Sequence, residues 1–156
     1  MSKLNVSFYV LSENKAQDFL GFICQLTQTA LNKSHQSLLL LIEEEALLNE
    51  LDEALWSYSA TSFMPHQRLD AANAKVSHLH DSLAPILLAA NMPESFNGIV
   101  LNTTTRPVNE FVTATRHATF TRILEIIKPD TASIEAGRAK YKYYQQLGYE
   151  LTYFKV

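Results

Sequence analysis

Apolar residues recur along the chain in two rhythms: short unbroken runs, and stretches spaced by three and four. VSFYVLS (6–12) is a run of strand length. Ser12 or Asn14 then stands where a helix cap is needed, ahead of a segment with Phe19, Phe22, Ile23 and Leu26 at helical spacing. SLLLLI (37–42) is continuously apolar, as a strand covered on both faces is, and EEEALLNELDEALW (43–56) sets Ala46, Leu47, Glu50, Ala54 and Leu55 on an amphipathic helix. Residues 57–80 are less regular, and only the alternation in VSHLH (76–80) suggests a half-buried strand. PILLAA (85–90) and GIVLNTT (98–104) predict two more strands, with Pro93, Asn97 and Gly98 between them.

From Pro107, which suits a first helical turn, VNEFVTATRHATFTRILEII predicts one long helix. Phe111, Ala114, Ala118, Ile123, Ile126 and Ile127 are its candidate core positions, and Pro129 stops it. A last helix runs from Thr131 or Ser133 to Gly148, and ELTYFKV (150–156) closes the chain as a strand. Strands alternating with helices predict an α/β fold, a three-layer sandwich around a mainly parallel, mixed sheet of Rossmann-like type.

A chain of 156 residues, 47% of them apolar, suits a single domain over 1–156. The net charge of −3 argues against a general phosphate-binding surface, whose affinity comes from clustered cations. Charge is unevenly spread: residues 1–53 carry three basic against eight acidic side chains, and 54–156 carry ten basic against eight acidic. The single cysteine, Cys24, lies in the apolar stretch FLGFICQL, which excludes an intrachain disulfide and fits a core role in a reducing compartment. No segment has the pattern of a signal peptide and no apolar run approaches the roughly 20 residues that span a bilayer. A soluble, cytoplasmic protein with no membrane partner is expected.

The four glycines, at 21, 98, 137 and 148, form neither GxGxxG nor GxxxxGK, so a Rossmann-type or P-loop nucleotide enzyme is disfavoured. His78 and His80 share one side of the expected strand but lack a third and fourth metal ligand. His66 and His117 lack a nucleophile to serve. Glu43, Glu44 and Glu45 read as the solvated start of a helix, favourable to its dipole. No catalytic residue, cofactor or metal is expected.

Two surfaces carry more information. In GRAKYKYYQQLG (137–148), Arg138, Tyr141 and Lys142 stand at i, i+3 and i+4 on one helix face, with Lys140 flanking it. Cations beside an aromatic ring suit either single-stranded nucleic acid or an acidic, apolar peptide tail, and the net charge tilts towards peptide. The alternative is that Tyr143, Tyr144 and Leu147 pack inward while the charges only solvate the helix. The second surface is LDEALWSYSATSFMPH (51–66), where Trp56, Phe63, Met64 and Pro65 make an apolar cluster of the kind that anchors interfaces. Spacing alone favours a buried Trp56, because most tryptophans are largely buried.

LDEALW followed by SFMPH, the C-terminal R..YK.Y…G and the opening FYVLS resemble the chi subunit of bacterial DNA polymerase III holoenzyme, over most of the chain. The resemblance implies a noncatalytic component of a DNA-directed DNA polymerase, a nucleotidyltransferase complex. It implies a heterodimer with the psi subunit, through which chi joins the clamp-loader complex, and binding to the C-terminal tail of single-stranded-DNA-binding protein, so that DNA is met only indirectly. Arg138, Tyr141 and Lys142 match the family's tail-binding positions, and Ile127 an apolar position beside them. Trp56, Phe63 and Pro65 match the psi-facing surface, which reverses the preference for a buried tryptophan. The rival readings are a direct single-stranded DNA-binding module and an adaptor for a repair helicase.

Overall fold

The computed structural model describes residues 4–34, 36–57, 66–69, 85–92, 96–111 and 119–156. Strand β1 (Asn5–Val10) leads into the short helix α1 (Glu13–Gln17) and then α2 (Phe19–Ser34). Ser12 caps α1, its hydroxyl accepting from the Lys15 N–H at 3.3 Å. β2 (Leu38–Leu41), α3 (Glu45–Ser57), β3 (His66–Leu69), β4 (Ile86–Ala89) and β5 (Asn97–Asn102) follow. A 3₁₀ turn at Val108–Phe111 precedes β6 (Thr119–Ile127), α4 (Thr131–Gln146) and β7 (Glu150–Lys155). The strands form one sheet in the order β3-β4-β2-β5-β6-β1-β7, and each described pairing is parallel rather than mixed.

Strand alternation divides the core in two. Leu38, Leu40, Ile86, Leu88, Ile99, Leu101, Leu124 and Ile126 face α2 and α3, meeting Ile23, Cys24, Leu48, Leu51 and Leu55. Val6, Phe8, Leu39, Leu41, Leu87, Val100, Ile123 and Ile127 face the other way, towards Val108, Phe111 and Tyr144. The expected three-layer α/β sandwich is therefore present, and SLLLLI is apolar throughout because both of its faces are covered. In α3 the buried stripe is Leu48, Leu51 and Leu55; Ala46 and Glu50, placed on that stripe by spacing, are exposed. Burial pushes the Cys24 thiol up to about 11, consistent with a packing role.

The long helix expected from Pro107 to Ile127 is not formed. Only Val108–Phe111 is helical, as 3₁₀, and Thr119–Ile127 is a nine-residue strand between β5 and β1. Ile123, Ile126 and Ile127 satisfy helical spacing, but Ile123, Leu124, Glu125, Ile126 and Ile127 are buried in succession. A one-sided helix cannot bury five consecutive residues, whereas a central strand with two covered faces does, and its β-branched residues suit that state. Residues 112–118, in the rest of that expected helix, and the strand expected over 76–80 lie outside the described residues. β3 falls where irregular chain was expected.

Gly98 has φ +152, and a Cβ there would run into the Ser37 carbonyl oxygen, which accepts the Ile99 N–H at 2.9 Å. The ladder to β6 shifts register at that point. Asp130 caps α4 by accepting from the Ser133 N–H at 2.9 Å, a bond that holds its carboxyl below the usual carboxylate range. Gly148, at φ +81, ends the helix region as its sequence position predicts.

Candidate functional site

The orientation of α4 is set by a buried polar cluster. Alternation along β6 puts Glu125 on the same face as Ile123 and Ile127, beneath α4. There Lys140 Nζ lies 2.6 Å from Glu125 Oε1 and donates to the Thr104 carbonyl at 3.0 Å. Tyr144 Oη donates to Glu125 Oε2 at 2.6 Å and accepts from the Val108 N–H at 2.9 Å. Asn102 Nδ2 donates to Glu125 Oε2 at 2.9 Å and to the Arg106 carbonyl at 2.8 Å, while its oxygen accepts from the Thr104 N–H and hydroxyl. Burial pushes the Glu125 carboxyl up, and Lys140, Tyr144 and Asn102 pull it part of the way back. Burial and the Glu125 charge push the Tyr144 phenol up as well.

Lys140 thus belongs to the interior, 3% exposed, and not to the surface patch that it was expected to flank. Tyr144 is also buried, as the inward-packing alternative requires, but Leu147 is 46% exposed. With Lys140 and Tyr144 turned inward, the helical repeat turns Arg138, Tyr141 and Lys142 outward. Arg138 and Lys142 are exposed, and Tyr141 is 39% exposed with its ring 5.5 Å from that of buried Phe8. Ile127 lies below them, largely covered: a Cβ at Gly137 would stand 2.5 Å from its Cδ1. Gly137 lets α4 settle onto β6, and Ile127 supports the helix from beneath.

Trp56 ends α3 beside β3, at the other edge of the sheet. It is 56% exposed, against the expectation from spacing alone, and its ring centroid is 4.4 Å from that of His66. His66 Nε2 lies 3.0 Å from both the Asp52 carboxylate and the Asp52 carbonyl, fixing β3 against α3. Phe63 and Pro65, the other two residues expected on this surface, lie outside the described residues. Arg138, Tyr141 and Lys142 are therefore brought together, with Ile127 under them, and Trp56 is held far away.

A cleft of about 510 Å³ opens at the carboxyl ends of β2, β5 and β6, where α/β sheets commonly take ligands. Its two lysines are engaged: Lys140 by Glu125, and Lys128 over the Phe19 ring at 4.2 Å. Among the described residues no group of three or more His, Cys, Asp or Glu side chains is placed to hold a metal ion. No described helix is long and apolar enough to cross a membrane.

The family described as DNA polymerase III chi subunit, HolC, matches residues 3–152. The DNA polymerase III subunit chi of Pseudomonas aeruginosa is 28% identical over 146 residues, covering 94% of this chain and 92% of the relative. That of Escherichia coli is 28% identical over 153 residues, covering 95% of each. Among solved structures, the C-terminal domain of the DEAD-box protein Dbp5 aligns with a TM-score of 0.61 at 13% identity, over 98% of this chain and 90% of that one. An S. cerevisiae Dbp5 variant bound to Nup159, Gle1, IP6 and ADP aligns with a TM-score of 0.61 at 14% identity; the match covers 96% of this chain and only 41% of that chain. Identities this low establish a shared fold alone.

Proposed function

The chain belongs to the DNA polymerase III chi subunit family, an accessory part of the replication machinery, and from that premise we propose that it is a noncatalytic adaptor with two docking surfaces. The flank of α4 carrying Arg138, Tyr141 and Lys142 takes the acidic C-terminal tail of single-stranded-DNA-binding protein. The surface around Trp56 takes the psi subunit, and through psi the protein joins the clamp loader. The observation that carries this reading is the exposed cation–aromatic face of α4, locked in place by the buried Glu125–Lys140–Tyr144 cluster.

The chemistry supports a peptide tail. Arg138 and Lys142 pair with acidic side chains and the terminal carboxylate, and Tyr141 offers a ring to the last apolar side chain. Charge attraction speeds encounter and makes affinity fall with salt. Many tails on one DNA-coating oligomer raise effective affinity by avidity, so a weak site suffices. The noncatalytic reading draws support from the strand-end cleft, whose Lys140 is held by the buried Glu125 carboxylate instead of facing a substrate.

Titration of a tail peptide against the wild type and Arg138→Ala tests the reading. The variant is expected to bind at least about tenfold more weakly, as loss of a charge-assisted contact implies. Equal affinity, or no binding by either protein, overturns it. Tight binding of a naked oligonucleotide by the isolated chain would favour direct contact with single-stranded DNA instead.

A further inference from the structure

The tail surface on α4 borders a second exposed surface that the family pattern does not assign. β7 is the last strand of the sheet, paired only with β1 among the described residues. Its pairing register sets Leu151, Tyr153 and Lys155 opposite Val6, Phe8 and Val10, hence on the face that α4 covers. Tyr141 reaches Phe8 from α4, and Tyr153 is the neighbour of Phe8 across the ladder. Phe8 is 1% exposed between them, yet Tyr153 remains 54% exposed, so α4 stops short of the sheet edge. The result is a shelf between the Arg138 flank of α4 and the rim of the sheet.

Three cations border this shelf, and Glu135, one turn before Arg138 on α4, is the exposed carboxylate beside them. Lys155 is exposed on the α4 face of β7, at the end where α4 begins, and Arg138 and Lys142 stand on the helix above. Glu150, the only carboxylate of β7, falls on the opposite face by alternation. Aromatic surface beside three cations, continuous with the proposed tail site, fits an extended acidic peptide longer than α4 alone can cover.

We propose that Tyr153 and Lys155 form the second wall of the tail site, binding the acidic residues that precede the terminal segment of the same peptide. This rests on the reading of Arg138, Tyr141 and Lys142 given above. The terminal carboxylate and last apolar side chain stay on α4, while the upstream carboxylates lie over the edge of β7, met by Lys155, with their backbone packed on the Tyr153 ring. Specificity for an extended acidic stretch, rather than for any C-terminal apolar residue, comes from this wall.

Two synthetic peptides separate the contributions: one holding only the last four residues of the tail, the other about ten residues with the acidic stretch. Each is titrated by calorimetry against the wild type, Arg138→Ala, Tyr153→Ala and Lys155→Gln in the full chain. Arg138→Ala is expected to weaken both peptides. Tyr153→Ala and Lys155→Gln are expected to weaken the long peptide about threefold to tenfold and leave the short one unchanged. Lys155→Gln alters an exposed side chain, so its folding is secure even if Tyr153→Ala proves unstable. If both variants bind the long peptide as the wild type does while Arg138→Ala does not, the second wall is overturned and the α4 site stands. If Arg138→Ala binds both peptides normally, the α4 site itself is wrong.

Discussion

Replacing Lys140 by methionine is the most informative perturbation of this fold. It removes a charge that is 2.6 Å from Glu125 Oε1, with the two side chains 4% and 0% exposed, and keeps nearly the same volume. Breaking a buried pair from one side costs about 3–5 kcal/mol, because the remaining charge is left without a partner. Against the roughly 5–15 kcal/mol that stabilises a domain, that is a large share. Glu125 escapes part of the cost by taking up a proton. Burial already raises its folded pKa above the unfolded value, so it contributes stability that is fully present below the unfolded pKa and is lost as pH rises through the folded one. Lys140→Met removes the largest opposing effect and raises the folded pKa further. Between the folded pKa of the wild type and the higher one of the variant, the variant loses about 1.4 kcal/mol per pH unit that the wild type keeps, so its deficit widens as pH rises through that window. Urea unfolding followed by circular dichroism at several pH values measures this. The double variant Glu125→Gln, Lys140→Met should recover much of the loss at pH 8, since no buried charge remains. A Lys140→Met deficit that is absent, or that narrows as pH rises, would refute the assignment of this pair as the lock on α4.

Three further outcomes follow from particular contacts. Gly98→Ala is expected to lose about 1–3 kcal/mol, since it adds a clash with the Ser37 carbonyl to an unfavourable φ. Gly148→Ala, with open space around the site, should lose less, and thermal melts that rank the two the other way contradict the bulge geometry. Thr27→Val should be neutral or stabilising by up to about 1 kcal/mol, because the buried Thr27 hydroxyl has no hydrogen-bond partner among the described residues; a clear destabilisation shows that it has one. Trp56→Ala should change the stability of the isolated chain by less than about 1 kcal/mol while abolishing co-purification with psi. An unfolded variant, or one that retains psi, means that Trp56 serves packing.

The parts of the fold legible in the sequence are those where one rhythm excludes the other. SLLLLI and PILLAA are too short and too uniformly apolar for an amphipathic helix, and both are strands with two covered faces. TFTRILEII admits both rhythms, because Ile123, Ile126 and Ile127 fit i, i+3 and i+4 as well as a buried strand. Only its position between β5 and β1 decides, and that is a fact of tertiary structure. The same ambiguity hid Glu125. Once the segment is a strand, alternation turns Glu125 towards α4, where Lys140 and Tyr144 share a face at i and i+4. Arg138, Tyr141 and Lys142 were visible from the start because they stand on an uninterrupted helix, where spacing alone gives the face. The exposure of Trp56 was not: spacing alone favours its burial, and only the resemblance points outward.

The sheet order keeps the two proposed docking surfaces apart. β3 and β7 end the sheet on opposite sides, six strand spacings of about 4.8 Å or roughly 29 Å apart, with the Trp56 surface beside the first and the α4 flank towards the second. α4 must pass over β1 to join β6 to its outer neighbour β7, so one flank of it necessarily overlooks the sheet edge. A helix spanning that crossover can roll about its axis unless something fixes its phase, and an apolar stripe alone tolerates such rolling. Directional bonds do not: Lys140 and Tyr144 each reach Glu125 in only one rotational setting, and Gly137 over Ile127 lets the helix sit close enough for them to do so. The polar residues near the strand-end cleft thereby set the direction in which α4 presents its exposed face, the proposed binding face, towards the rim of the sheet.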